Sequence, residues 1–186
     1  MAVTTTNLIM GPASLYIASF GATEPLDTAI NDTPAASAWT DLGGTQDGVK
    51  LAVDQTYTPL EVDQVVDEVG GRLTKRLFTV ETNLAEPTLE NLKYLLNDGT
   101  AASGAGFKSF EPIYASSATQ PTYRAIILDG YAPGQFRRRF VVRRVLSNDK
   151  VESSYKKDGM TLFPVKWQGF YVSQSIAPFK LIDATS

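Results

Sequence analysis

The thirteen residues from Arg72 to Leu84, RLTKRLFTVETNL, decide the fold. Phe78, Val80 and Leu84 fall on one face with Arg76 and Thr82, while Lys75, Thr79, Glu81 and Asn83 dominate the other. Alternation with period two over this length is the pattern of a β-strand with one buried face. It is the longest strand candidate in the chain. Directly after it the period changes. Pro87 suits a first helical position, Thr88 and Glu90 suit a first turn, and Leu89, Leu92 and Leu96 recur at i, i+3 and i+7. Gly99 fits the position just past a helix end. The spacing predicts one helix over about 87–97, with a single apolar stripe that must lie on a sheet.

Upstream, the segment TPLEVDQVVDEVGGR keeps an imperfect alternation. Leu60, Val62 and Val66 oppose Glu61, Asp63 and Asp67, Val65 interrupts, and Gly70-Gly71 ends the run. This predicts an acidic hairpin or flap over about 54–71. Before it, Gly43-Gly44 and Asp47-Gly48 read as turns, the second leading into Val49, Leu51 and Val53 at period two. Residues 21–38 are rich in Ala, Thr, Asp and Pro without a period, and read as a long surface loop; SLYIAS (14–19) reads as a first strand, and about 1–13 as an N-terminal arm.

Downstream, GTAASGAGF reads as a small-residue loop. FKSFEPIYA, TYRAIILDGYA, QFRRRFVVRRVL, VESSYKK and MTLFPVKWQGFYVS then read as strands between turn signals at Asp129-Gly130, Pro133-Gly134, Asn148-Asp149 and Asp158-Gly159. The last of these is a strong hairpin signal. Phe163, Val165, Trp167 and Tyr171 share a face opposite Lys166 and Gln168, and Pro164 argues for an edge or a bulge. Many strands with one helix predict a mainly β fold, a β-sandwich or barrel with one flanking helix, as a single domain over 1–186.

Composition excludes more than it suggests. The 186 residues contain no cysteine and no histidine. That removes disulfide frameworks, thiolate zinc sites, cysteine nucleophiles and the usual general base of a hydrolase. GxGxxG and GxxxxGK[ST] loops are absent, and Asp27, Asp32, Asp41 and Asp47 lack calcium-loop spacing. The carboxylates of 61–68 read as a solvated strand face. Nothing here predicts an enzyme, and no catalytic, cofactor-binding or metal-ligating residue is assigned. No apolar run approaches the roughly 18–20 residues of a membrane span, and the first cation is Lys50. The chain is expected to stay in a cytoplasm or to leave by a route other than secretion.

The net charge of −3 conceals a polarity: residues 1–70 carry −9 and residues 71–186 carry +6. Either two oppositely charged surfaces associate head to tail, or the halves interleave and neutralise each other. Five arginines occur within the eight residues 137–144. On a strand they cannot all line one groove, since Arg137, Arg139 and Arg143 share one face while Arg138 and Arg144 share the other with Phe140 and Val142. The favoured expectation is that they pair with acidic faces within or between subunits. The alternative is a monomeric β-barrel that binds a ligand or single-stranded nucleic acid through this strand.

The order of these features resembles the major tail tube protein of long-tailed bacteriophages. The resemblance is carried by Trp39 to Val49 (WTDLGGTQDGV), the acidic 54–70 excursion, the passage RLFTVETNLAEPTLENL from Arg76 to Leu92, and the ending from Pro164-Val165-Lys166-Trp167 to Ser175-Ile176-Ala177-Pro178-Phe179. The resemblance implies a structural virion protein of the phage tail, assembled in the host cytoplasm. Six copies would form a ring whose inner strands join a closed barrel. Rings would stack into a hollow tube that conducts DNA, which passes without specific binding. Its partners would be itself and the tape measure, tail tip and terminator proteins, with no membrane; related terminator or secretion-tube subunits share the architecture. No added C-terminal immunoglobulin-like domain is expected. The resemblance also implies inter-ring contacts through the flap, for which Glu61, Asp63, Asp67 and Glu68 are candidates, and Arg137, Arg139 and Arg143 are candidates for the basic surface that receives it. A conduit must not hold phosphates, so the lumen is expected to be acidic or neutral. Asp54, Thr79, Glu81 and Asn83 are its candidates, with the arginine strand turned away.

Overall fold

The computed structural model describes residues 11–113, 116–131 and 136–185. The expected N-terminal arm therefore lies outside the described residues except for 11–13, as does the Pro133-Gly134 turn. Ten strands are described: β1 (Ser14–Ser19), β2 (Thr40–Asp41), β3 (Thr45–Leu60), β4 (Gly70–Leu84), β5 (Thr100–Gly104), β6 (Phe107–Glu111), β7 (Arg124–Tyr131), β8 (Arg137–Ser147), β9 (Phe163–Gly169) and β10 (Phe179–Asp183). One α-helix, α1 (Leu89–Leu95), lies between β4 and β5.

All pairings are antiparallel, and the main sheet runs β2-β1-β7-β8-β9-β4-β3. β8 is its pivot. One edge of β8 pairs with β7; the other is shared by β10, from Arg138 to Val142, and β9, from Val145 to Ser147. β9 then leaves β8 and continues along β4 from Phe163 to Gly169. The sheet thereby folds over on itself. Leu15, Ile17, Ile126, Val142 and Val145 from the β1-β7-β8 half pack against Phe78, Val80, Leu84, Phe163, Val165 and Trp167 from the β4-β9 half. Phe78, Phe140 and Phe179 stack at ring separations of 4.9–5.5 Å where three strands meet. The result is a sandwich, and the sheet does not close into a barrel: β2 and β3 remain its ends. Pro164 sits on the part of β9 beyond its three-residue pairing with β8, where a missing N–H costs no ladder bond.

A second, smaller cluster lies on the outer face of the β1-β7-β8 half. Tyr16, Ala18, Ala125, Ile127 and Val141 are covered there by Trp39 and the irregular segment 21–38.

Helix α1 is shorter than the leucine spacing predicts. Thr88, not a residue before Pro87, is the N-cap, and its hydroxyl accepts the Asn91 N–H at 3.1 Å. Leu95 and Asn91 are the buried positions and Leu96 is exposed at the C-cap. The left-handed residue after the helix is Asn97 (φ 59°), not Gly99. Asparagine tolerates that conformation, and its amide bridges the backbone carbonyl and N–H of Ser147, at 2.6 and 2.8 Å. Gly99 serves a different need, since a Cβ there would collide with the Phe110 ring. Replacing Thr88 by alanine is expected to lower stability by about 1 kcal/mol in a urea titration, with no change in the fold.

Several local readings differ from the structure. Asp47-Gly48, both left-handed, form a bulge inside β3 rather than a turn, and Asp129-Gly130 lie within β7. GTAASGAGF is no loop: 100–104 is β5, which pairs with β6. VESSYKK forms no strand, and the Asp158-Gly159 signal yields only an isolated Lys156–Gly159 bridge. In the first three cases cross-strand partners outweigh the local preference, while 151–157 lacks a partner strand among the described residues.

Candidate assembly surface

β9 pairs with β4 no further than Phe78. Beyond that point β3 and β4 pair only with each other among the described residues, and residues 53–76 are exposed throughout. They form a two-stranded arm, with residues 61–69 as its tip. The Val69 N–H donates to the Leu60 carbonyl at 2.9 Å and closes the tip. The arm matches the 54–71 segment in place, but its return strand is longer. An isolated two-stranded ribbon is marginal in water. This one nevertheless displays Val53, Tyr57, Leu60, Val62, Val65, Val66, Val69 and Leu73 to solvent. Such a concentration of apolar side chains marks a contact surface. Tyr57 and Leu73 are register partners, and so share one face.

Charge divides the arm. Its tip carries Glu61, Asp63, Asp67 and Glu68, while the return strand carries Arg72, Lys75 and Arg76. Among the described residues none of these seven forms an ion pair.

Among the described residues β3 pairs on one side only, with β4. The opposite edge presents a row of backbone groups without a strand partner among the described residues. Long exposed edges of this kind recruit further strands.

The outward face of the β3-β4-β9 layer carries the residues expected at a lumen. The register puts Asp54 beside Leu77, Thr79 between Ala52 and Gln168, Glu81 between Lys50 and Lys166, and Asn83 between Gln46 and Pro164. Asp54 is exposed, Glu81 and Asn83 are half-buried, and Thr79 is buried. Asn83 donates to the Asp47 carboxylate at 3.4 Å. Glu81 does not project alone: Lys166 lies 2.7 Å from it and Lys50 3.6 Å. The hydrogen bond from Lys166 holds Glu81 below the ordinary carboxylate range, and the same bond raises Lys166. The sequence reading missed these two lysines, although the alternation places Lys166 opposite Trp167. The face is charge-balanced rather than acidic.

A depressed carboxylate contributes stability above its ordinary pKa and loses it as pH falls through the lowered value. NMR titration is therefore expected to show Glu81 ionising below a free glutamate. In Lys166→Met the midpoint should move back up; an unmoved midpoint would show that Lys166 is not the cause.

The arginine strand is committed within the protomer. Arg139, fully buried, pairs with the equally buried Asp129 at 2.9 Å and donates to the carbonyls of Ala29 (3.3 Å), Ile30 (3.2 Å) and Asp32 (2.6 Å). Arg137 donates to Asn31 O at 2.5 Å and lies 3.3 Å from Asp129. Arg143 pairs with Glu24 at 2.5 Å, and Lys180 with Asp27. These cations clamp segment 21–38 onto the sheet, so part of the charge polarity is neutralised internally. Arg138 makes a two-pronged pair with Asp183, both bonds 2.6 Å, which lowers Asp183 and raises Arg138. Arg144 departs from its expected face. A register irregularity between β7 and β8 at Arg124/Ile126 inserts an extra residue, and its guanidinium lies 3.8 Å over Tyr123 and 5.4 Å from Phe20 on the outer face.

No helix among the described residues is long and apolar enough to cross a membrane. No curated protein matches the sequence. A model of the phage tail tube protein family matches residues 1–183, nearly the whole chain. With its β3 edge unpaired among the described residues and its arm exposed, the chain belongs to the phage tail tube proteins, a structural family of the virion whose members assemble with themselves and with other tail components.

Proposed function

We propose that six copies close into a ring, that rings stack through the β3–β4 arm, and that the resulting tube conducts DNA during ejection. The observation that carries this reading is the unpaired β3 edge, continued by an arm exposed from 53 to 76. Within a ring, that edge accepts a strand of the adjacent protomer, so inner strands continue around a closed barrel and no edge is left. Between rings, the contact joins unlike surfaces and does not close, so it propagates along an axis. Glu61, Asp63, Asp67 and Glu68 lie at the reaching end.

The outward face of β3-β4-β9 is assigned to the lumen. Glu81 sits between Lys166 and Lys50, and Asp54 in the same alternation as Lys50 supplies the second carboxylate, so the two lysines leave no net positive charge where phosphates pass. Arg137, Arg139 and Arg143 act inside the protomer, holding segment 21–38. In the tail, the tube's ends and bore meet the terminator, tail tip and tape measure proteins. The test is sedimentation and negative-stain microscopy of purified protein over a concentration series. Rings or tubes growing with concentration are expected; a compact monomer throughout would overturn the reading.

A further inference from the structure

Segment 21–38 leaves part of the outer face of β1, β7 and β8 open. A cavity of about 380 Å3 lies there, lined by Phe20, Trp39, Val141, Val172 and Ile176 together with the Glu24 carboxylate. A dry cavity of roughly 150 Å3 already admits a benzene-sized group, so this one has room for more than one valine side chain. Its walls include Arg143, already neutralised by Glu24. Arg144 stands beside it. Arg144 lies over the Tyr123 ring at 3.8 Å, stands 5.4 Å from the Phe20 ring, and donates to the Tyr171 carbonyl at 3.0 Å, next to Val172. No carboxylate pairs with it among the described residues, and its buried Nε has no acceptor. The cavity is an apolar socket with an uncompensated cation at its rim.

The arm tip is its chemical inverse. Val66 is fully exposed, Val62, Val65 and Val69 are exposed around it, and four unpaired carboxylates are interspersed. The tip cannot fill the socket of its own chain in this fold, because residues 61–69 are solvent-exposed throughout. We propose that the socket receives the arm tip of a second copy, Val66 entering between Phe20 and Ile176 while Asp67 or Glu68 takes up the Arg144 charge. This rests on the tube reading and names the receptor site for its inter-ring contact. Each copy carries one tip and one socket, so the contact is head-to-tail and, placed between stacked rings, repeats along the axis. Burying both apolar surfaces supplies the affinity, and the charge pair supplies register.

The chain has no native cysteine, so a two-cysteine variant is read cleanly. Assembled Val66→Cys/Ile176→Cys protein treated with a short bismaleimide is expected to give a covalent ladder, whereas either single variant stays at protomer mass. In parallel, hydrogen exchange of the unmodified protein is expected to slow by about tenfold at residues 20–24 and 172–176 on going from dilute protomer to tube. Tubes with neither ladder nor protection at those residues would overturn the socket while leaving the tube reading intact. Failure of the unmodified protein to form rings or tubes would instead overturn the tube reading.

Discussion

Excising residues 56–75 and joining Gln55 to Arg76 through an Asn-Gly turn is expected to abolish tube formation while the protomer still folds. Gln55 and Arg76 are register partners, so a two-residue turn closes the shortened hairpin. The removed residues are all exposed and contribute nothing to either core cluster. Stability should therefore change little, by about 0.5 kcal/mol, the range of surface changes away from special features. Assembly should fall from tubes to isolated protomers or single rings. Urea unfolding checks the first half and negative-stain microscopy the second. Tubes of normal length from the shortened chain would remove the arm from any role between rings.

The second large effect lies in the protomer. Asp129→Ala is expected to lower the unfolding free energy by about 3–5 kcal/mol, because it leaves the Arg139 guanidinium buried without its counter-ion. Against a total of about 5–15 kcal/mol for a typical domain, that is a large share. Arg139 also donates to three carbonyls of residues 29–32, so losing its anchor loosens segment 21–38 as well. Arg139→Lys should not rescue the site, since an ammonium cannot reproduce the planar fork that reaches both Asp129 and the loop. Replacing both partners, Asp129→Leu with Arg139→Met, should recover much of the loss. Equal urea midpoints for the wild type and Asp129→Ala would show that the pair is not needed.

Much of the layering was legible because period-two alternation reports burial directly. Phe78, Val80 and Leu84, and Phe163, Val165 and Trp167, face the core as their spacing demands. Pro164 was legible for the same reason: a residue without an N–H must find an unpaired position. What local reading lost was decided by distant partners. Asp47-Gly48 carries a hairpin signature, yet β4 runs past it and turns it into a bulge. Asp129-Gly130 looks like a turn until Arg139 supplies a buried counter-ion for the aspartate.

The candidate surface was half legible. Acidic residues 61–68 with interspersed valines were visible as a projecting element, and the alternation put Glu81 and Asn83 on one face. The balancing of Glu81 by Lys50 and Lys166 depends on three-strand register, which no single segment contains. The arginine strand shows the same limit. Parity along 137–144 separates the faces, but the inserted residue opposite Arg124 and Ile126 moves Arg144 to the outer one.

A cryo-EM reconstruction of the assembled material tests most directly whether these protomers complete one another. The β3 edge, Thr45 to Leu60, is expected to be hydrogen-bonded to a strand of the adjacent protomer in the ring, with Glu81 facing the channel. A tube in which that edge stays unpaired in solvent, or in which Arg137, Arg139 and Arg143 line the channel, would contradict it.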